Sequence, residues 1–197
     1  MKICSNGQWR AEVSSPIGNI VIEFCSVGLH SVNQSPEISD SNFKPAPSQE
    51  VTLLSGNNKY GHLKECINWL DTYFHNPTKI SEVKFPSFCT INSATDAPFF
   101  DKVYTALLKV PFGNTVSYKE LATLAGSPNA TRAAGTAMAK NPFQLIVPCH
   151  RVLPSTSASG KQQVGNYSSG KKVSVKEWLL VHEGHNLSNR VLLKSEK

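Results

Sequence analysis

The fold of the C-terminal half of the chain is decided by the stretch SYKELATLAGSPNATRAAGTAMAK at residues 117–140. Ser117 and Glu120 have the spacing of a capping box, which predicts a helix that begins at this point. Ser127-Pro128 predicts the start of a second helix, with Ser127 as the N-cap and proline in the first helical position. Two helices joined by so short a turn favour a helix-turn-helix, a motif that often binds DNA. The alternative is two helices that pack in an ordinary α-helical core.

The first third of the chain predicts a small sheet followed by a helix. Strands are expected at residues 9–13, 19–24 and 29–32, where apolar residues lie between turn signals. Residues 59–75 place apolar side chains three and four positions apart, which is one face of an amphipathic helix. Residues 33–50 are rich in Ser, Pro, Asn and Gln and indicate an exposed connection.

Together the two halves predict a mixed fold of the α/β (α+β) class. We expect residues 1–90 to form a small N-terminal domain with an antiparallel sheet and a helix. Residues 98–190 are expected to form a mostly helical C-terminal domain that contains the helix-turn-helix. A proline-containing linker at residues 76–98 joins them.

Composition and charge exclude several classes of protein. The 197 residues are 40% hydrophobic, which is enough for a packed core and excludes wholesale disorder. No apolar run approaches the roughly 18–20 residues that span a bilayer, and the N-terminus lacks the apolar region of a secretory signal. The net charge of +6 permits nucleic-acid binding without requiring it. We expect a soluble monomer with no membrane contact, nuclear if the cell is eukaryotic and otherwise cytoplasmic.

Residues 145–152, with the sequence LIVPCHRV, carry the strongest chemical signal. The apolar run is expected to bring Cys149 and His150 into an enclosed place. A thiol attacks carbon as the thiolate, and at an ordinary pKa near 8.5 only about a few per cent of it is ionised at neutral pH. A neighbouring base or cation is therefore needed. On these residues alone, a buried structural thiol is the alternative.

Six short segments carry a resemblance to a known family. They are PCHRV at 148–152, NP at 141–142, VSY at 116–118, AAG at 133–135, GNYS at 165–168 and KEWLLVHEG at 176–184. In these segments the chain resembles the O6-alkylguanine-DNA alkyltransferases, also called methylated-DNA–protein-cysteine methyltransferases. The resemblance covers most of residues 99–185. The N-terminal region is similar to the eukaryotic members more loosely.

The resemblance implies a mechanism. Cys149 would take the alkyl group from O6 of guanine, which restores the base. His150 would act as a base through a water molecule, and Glu183 would orient its imidazole. Asn141 would brace this network by hydrogen bonding. The Tyr118 hydroxyl would donate to N3 of guanine as charge develops there.

The resemblance also implies how DNA is bound. The damaged nucleotide must leave the duplex at a cost of about a few kcal/mol, and Arg132 resembles the finger that takes its place in the stack. The Ala- and Gly-rich helix around Arg132 suits an approach in the minor groove. The residues expected to contact DNA are Ser117, Tyr118, Thr131, Arg132, Ala133 and Arg151. The residues expected in the pocket for the flipped base are Met138, Val152, Tyr167 and Ser168. Residues 153–164 are expected to form a mobile loop beside that pocket.

Some eukaryotic relatives hold a structural zinc ion in the N-terminal domain, and this chain has candidate ligands for one. Cys4, Cys25 and His30 match positions of that family site, and Cys89 lies in the region of the fourth ligand. Three thiolates and one imidazole suit tetrahedral zinc. The alternative is reduced, half-buried thiols with no metal.

The expected function is the repair of double-stranded DNA that contains O6-alkylguanine, with O4-alkylthymine as a further candidate substrate. The alkyl group would pass irreversibly to Cys149 in a single turnover without a catalytic cofactor. One alternative is a non-catalytic protein that binds alkylated bases and recruits other repair factors. A hydrolase with a catalytic cysteine is another. The sequence does not identify protein partners.

Overall fold

The computed structural model describes Cys4 and residues 7–57, 59–89 and 98–193. Its internal contacts divide the chain into two compact units. Of the described residues, the first unit contains those up to 38, 42–89 and 142–144, and the second contains 39–41, 98–141 and 145–193. Within these ranges, no helix combines the length and the apolar character needed to cross a bilayer.

A four-stranded antiparallel sheet forms the core of the first unit. Its strands are β1 (Trp9–Val13), β2 (Ile20–Phe24), β3 (Leu29–Gln34) and β4 (Leu53–Ser55), in the order β3-β2-β1-β4. In β2, Ile20 and Ile22 are buried while Glu23 is exposed, because successive side chains point to opposite faces. The predicted N-terminal antiparallel sheet is confirmed. The sequence does not predict β4, because three residues are too few to show an alternation.

The predicted amphipathic helix is α1 (Gly61–His75), which begins two residues later than expected. It buries the apolar face that the spacing indicates and contacts β2. A 3-10 turn follows at Pro77–Lys79. The buried side chains of α1 are Leu63, Cys66, Trp69, Leu70, Tyr73 and Phe74.

Two segments from distant parts of the chain run parallel to β3. At one end, the Leu29 N–H donates to the Ser87 carbonyl and the Cys89 N–H donates to the Leu29 carbonyl, each at 2.8 Å. Gly28 makes this approach possible, because a Cβ at that position would lie 2.6 Å from the Phe88 carbonyl carbon. This segment places Cys89 beside the start of β3.

The second segment, residues 142–144, lies beside the other end of β3. The Val32 N–H donates to the Pro142 carbonyl at 2.8 Å, and the Gln144 N–H donates to the Val32 carbonyl at 2.7 Å. The rings of Phe88 and Phe143 lie 4.2 Å apart and join the two segments. Residues 142–144 therefore belong to the sheet of the first unit.

The second unit is mostly helical, with two small sheets. Its helices are α2 (Pro98–Leu107), α3 (Tyr118–Leu124), α4 (Thr131–Ala139) and α5 (Val173–His182). Its strands are β5 (Val116–Ser117), β6 (Val152–Leu153), β7 (Gln162–Gln163), β8 (Leu187–Ser188) and β9 (Val191–Leu192). Strands β5 and β6 pair in parallel, and β7, β9 and β8 form an antiparallel sheet. The predicted mixed class is confirmed.

The start of α3 is as predicted, and the start of α4 is not. The Ser117 hydroxyl accepts from the Glu120 N–H at 3.1 Å, and the Glu120 carboxylate accepts from the Ser117 N–H at 2.6 Å, which confirms the capping box. The prediction that Ser127 caps the next helix is wrong. The Ala130 N–H donates to the Ser127 carbonyl at 2.9 Å, so residues 127–130 form a turn and α4 begins at Thr131.

Candidate active site and metal cluster

Cys149 begins a 3-10 turn, Cys149–Arg151, that follows an apolar loop in the second unit. The loop begins at Leu145, whose backbone φ of 70° is a strained value for a leucine. Asn141 braces the loop, since its Nδ2 donates to the Val147 carbonyl at 2.8 Å. The Cys149 N–H donates to the same carbonyl. The chain thus holds the thiol almost entirely out of solvent, with 7% of the residue exposed.

Burial raises the pKa of the Cys149 thiol. A hydrogen bond with Asn141, the charge of Lys176 and the Tyr167 hydroxyl oppose the increase only in part. The Cys149 Sγ lies 4.0 Å from the Tyr167 hydroxyl. Because the resting thiol keeps its proton at neutral pH, nucleophilic attack requires a base.

The neighbouring residue, His150, is a buried candidate for that base. Its Nε2 donates to Oε1 of Glu183 at 2.6 Å, and neither side chain is exposed. Burial lowers the pKa of His150 more than Glu183 raises it, so the imidazole is neutral at pH 7. Because Nε2 carries the hydrogen that the carboxylate accepts, Nδ1 of the neutral ring carries the lone pair that can take a proton.

Arg151 lies in the interior and holds Glu183, which corrects the expectation that it contacts DNA. Its Nε lies 2.8 Å from Oε2 of Glu183, and its Nη1 donates to the Val110 carbonyl at 2.8 Å. Burial alone would raise the pKa of Glu183, but His150 and Arg151 hold it well below its usual range. Carboxylate and guanidinium satisfy each other, so Arg151 has no free charge to offer a phosphate.

Lys176, on α5, is a site residue that the sequence reasoning missed. The side chain is fully buried, and its Nζ donates to the Val152 carbonyl at 2.7 Å and to the Asn166 carbonyl at 3.5 Å. Burial lowers the pKa of Lys176 to about 8, against the influence of Cys149. A lysine at a position where the helix otherwise buries apolar residues is the signal that could have found it.

Three tyrosines that are electrostatically coupled to Cys149 keep their protons at neutral pH. Burial, together with the negative charge that Cys149 acquires when it ionises, raises the pKa of Tyr118, which stands at the start of α3, and that of Tyr167. The same two influences, with Asp101, raise the pKa of Tyr104 to about 12. Tyr104, which the sequence did not suggest, donates to the Ala137 carbonyl at 2.9 Å and so ties α2 to α4. Each of these groups can donate a hydrogen bond at neutral pH.

The residues expected on DNA other than Arg151 lie at the start of α3 and along α4. Arg132 is exposed, Thr131 and Ala133 are partly exposed, and Ser117 is buried as the cap of α3. Gly135, one turn along α4, has no side chain between the helix and the Tyr118 ring. Of the pocket residues, Met138, Val152 and Tyr167 are buried, and Ser168 is partly exposed with a φ of 46°.

The two units differ in charge. Among the described residues, the second unit has eleven Lys and Arg against five Asp and Glu, a net charge of +6. The first has six against seven, a net charge of −1. The unit that contains Cys149 is therefore the one suited to a polyanion.

The first unit gathers four metal-ligating side chains. The candidate ligand atoms of Cys4, Cys25, His30 and Cys89 all lie within 4.8 Å of one another, and all four residues are buried. Burial raises the pKa of Cys25, but hydrogen bonds from His30, Cys89 and the N–H of Val27 outweigh it and lower the pKa to about 6. Three sulfur atoms and one imidazole in this arrangement fit a tetrahedral metal ion.

Comparisons with known proteins show the family of this chain. A family profile described as "6-O-methylguanine DNA methyltransferase, DNA binding domain" matches residues 98–185. The human methylated-DNA–protein-cysteine methyltransferase is 40% identical over 182 residues, which are 90% of this chain and 81% of the relative. The protein of that name from Mycobacterium leprae is 33% identical over 92% of this chain and 95% of its own length.

Solved structures of proteins from the same family align with this chain. The crystal structure of the Mycobacterium tuberculosis O6-methylguanine methyltransferase aligns with a TM-score of 0.62 and 27% identity, over 90% of this chain and 93% of that one. The M. tuberculosis OGT in complex with DNA aligns with a TM-score of 0.60 and 27% identity, over 87% and 90% of the two chains. This chain therefore belongs to the methylated-DNA–protein-cysteine methyltransferase family.

Proposed function

We propose that this protein repairs O6-alkylguanine in double-stranded DNA by moving the alkyl group irreversibly to its own Cys149. The observation that carries the proposal is the buried Cys149 thiol, followed in the chain by a neutral His150 whose ring is fixed on the buried Glu183 carboxylate at 2.6 Å. The relatives that match most of this chain are named as enzymes of this activity.

The chemistry begins with the thiol proton. His150 takes it through a bridging water, and the imidazolium that forms is stabilised by Glu183. The Cys149 sulfur attacks the alkyl carbon, the bond from that carbon to O6 breaks, and the electron pair goes to the guanine ring. The thiol proton ends on guanine, while Tyr118 donates to N3 as charge develops. The thioether is inert, and each chain reacts once.

Binding of the damaged duplex falls to the start of α3 and to α4. Arg132 is the exposed cation on α4, and we assign it to the space that the extruded nucleotide leaves. Tyr118 begins α3 and Thr131 begins α4, and we interpret these two helices as a helix-turn-helix. The net charge of +6 on this unit supports the assignment. Met138, Val152, Tyr167 and Ser168 would form the pocket for the flipped base.

We further propose that Cys4, Cys25, His30 and Cys89 hold a structural zinc ion. The donor set supports zinc, since three thiolates and an imidazole are ligands that it favours. The ion would stabilise the N-terminal domain, residues 1–90, and take no part in the transfer by the C-terminal domain, residues 98–190. If the cell is eukaryotic, we expect the protein in the nucleus.

The test uses a duplex with one O6-methylguanine, in excess over the protein. Restored guanine should rise to one equivalent per chain and stop. Cys149→Ser should bind the duplex and restore none, because a hydroxyl ionises far less than a thiol. Cys66→Ala is the matched control, since Cys66 is a buried core thiol whose pKa is raised by burial. Binding without restored guanine would instead support the non-catalytic lesion-binding alternative.

A further inference from the structure

Two of the cluster cysteines are close enough to react with each other. The Cys4 Sγ and the Cys89 Sγ lie 3.8 Å apart, although 85 positions separate them in the chain. Both residues are buried, with 3% and 2% exposed. Cys25 and Trp9 pack against this pair, which holds the two sulfurs in contact within the sheet unit.

We propose that Cys4 and Cys89 are a peroxide-sensitive pair that forms a disulfide when the cluster is without metal. The proposal does not depend on alkyl transfer, because all of its residues lie in the first unit. It concerns a second chemical state of the same four side chains. In one state they bind a metal ion, and in the other two of them are bonded to each other.

The geometry selects this pair among the cysteines of the first unit. The Cys25 Sγ accepts the Val27 N–H at 3.3 Å, which ties it to the turn between β2 and β3. Cys66 lies on the buried face of α1, outside the cluster. The Cys4 Sγ and the Cys89 Sγ are in contact at 3.8 Å, so a shift of the two side chains by about 2 Å in total brings the sulfurs to bonding distance.

The reaction balances with one peroxide molecule. One thiolate sulfur attacks a peroxide oxygen, the O–O bond breaks, and a sulfenic acid and one water form after protonation. The second thiolate attacks that sulfur, the S–O bond breaks, and the oxygen leaves as a second water. Two thiols are oxidised by two electrons in total, and hydrogen peroxide is reduced to two molecules of water. A thiol such as dithiothreitol reverses the step by exchange.

The two states exclude each other. A disulfide between Cys4 and Cys89 removes two of the four candidate ligands, and two donors do not hold zinc in a structural site. Conversely, a bound zinc ion engages both sulfurs in metal bonds and holds them apart. Metal should therefore protect the pair from peroxide, and peroxide should release metal.

The experiment uses full-length protein with Cys149→Ser, so that the proposed alkyl acceptor does not consume the oxidant. Zinc-loaded and chelator-treated samples are treated with hydrogen peroxide and digested without reduction. We expect a peptide that joins Cys4 to Cys89, formed at least about ten times faster in the chelated sample. In the loaded sample, one zinc should leave for every two thiols lost, and dithiothreitol with zinc should restore both.

Cys89→His is the matched variant, because it leaves two thiolates and two imidazoles as a complete donor set without the pair. We expect it to keep its zinc at a peroxide concentration that strips the parent protein. Loss of zinc at the same rate from both would overturn the proposal. So would a disulfide that contains Cys25, or oxidation of Cys4 and Cys89 to sulfinic acids with no joined peptide.

Discussion

The guanidinium of Arg151 holds both carboxylate oxygens of Glu183 inside the second unit, with Nε 2.8 Å from Oε2 and Nη2 2.9 Å from Oε1. The same Oε1 accepts from Nε2 of His150 at 2.6 Å. One buried carboxylate therefore satisfies a permanent cation and orients the proposed base. Because these contacts join the turn after Cys149 to the end of α5, the network serves both stability and chemistry.

Glu183→Gln should lower both the stability of the fold and the rate of alkyl transfer. The amide cannot balance the Arg151 charge, and breaking one side of a buried ion pair costs about 3–5 kcal/mol in the free energy of unfolding. Urea unfolding measures that loss. Transfer should also slow, because the imidazolium of His150 loses its counter-charge. Glu177→Gln is the control, since Glu177 meets the exposed Arg190 only at 3.8 Å and should change stability by less than about 1 kcal/mol.

Acid should destabilise the protein in two stages. The pKa of His150 is lowered in the folded state, so its contribution to the free energy of unfolding is fully present above pH 6.5. That contribution is lost as the pH falls below 6.5, because the unfolded chain binds the proton before the folded chain does. Glu183 also has a lowered pKa, and its contribution is lost below about 4.5. Each group can contribute a slope of up to about 1.4 kcal/mol per pH unit. Unfolding curves between pH 8 and about pH 2 measure the slope of both stages, and His150→Gln should flatten the upper one.

Arg132→Ala should reduce repair of duplex DNA much more than reaction with free O6-alkylguanine. The side chain is exposed on α4 and is assigned to extrusion of the nucleotide, which the free base does not need. We expect a loss of at least about tenfold on the duplex, equivalent to 1.4 kcal/mol, and under twofold on the free base. Lys79→Ala, an exposed cation of the first unit, controls for loss of charge. Equal losses of activity on both substrates would contradict the assignment of Arg132 to nucleotide extrusion.

Lys176→Met should raise the pKa of Cys149, because the buried ammonium is one of the groups that lower it. The rate at which iodoacetamide modifies Cys149 should fall several-fold at pH 7 and approach the parent rate at high pH, where Lys176 itself loses its charge. Peptide mass spectrometry reads the modified site. Lys171→Met, which changes an exposed lysine nearby, should leave the pH profile in place. A profile unchanged in Lys176→Met would mean that the lysine only fills space.

Local patterns predicted what local interactions determine. The capping box at Ser117 and the apolar face of α1 depend on residues three or four positions apart, and both are found as predicted. The prediction that Ser127 caps a helix is wrong because serine and proline favour turns as well as helix starts, and here residues 127–130 form a turn. Cys4 and Cys89 lie in one cluster as the family resemblance implied, although no local spacing connects them.

Tertiary contacts account for what the sequence did not reveal. Arg151 lies two positions after the nucleophile, and the family resemblance implied a DNA contact for it, whereas the structure places Glu183 beside it. Lys176 is fully buried because two backbone carbonyls receive its ammonium, and such acceptors leave no trace in the sequence. The loop expected at 153–164 ends in β7, which pairs with β9 some thirty positions later. That pairing is too distant to be predicted from alternation.

The most direct test of the central claim is the mass of the intact protein after incubation with an oligonucleotide that contains O6-methylguanine. The account predicts a gain of one CH₂ unit per chain, and fragmentation should place it on Cys149. Cys149→Ser should gain nothing under the same conditions. A protein that binds the oligonucleotide with no change in mass, or a methyl group found on another cysteine, would contradict the account.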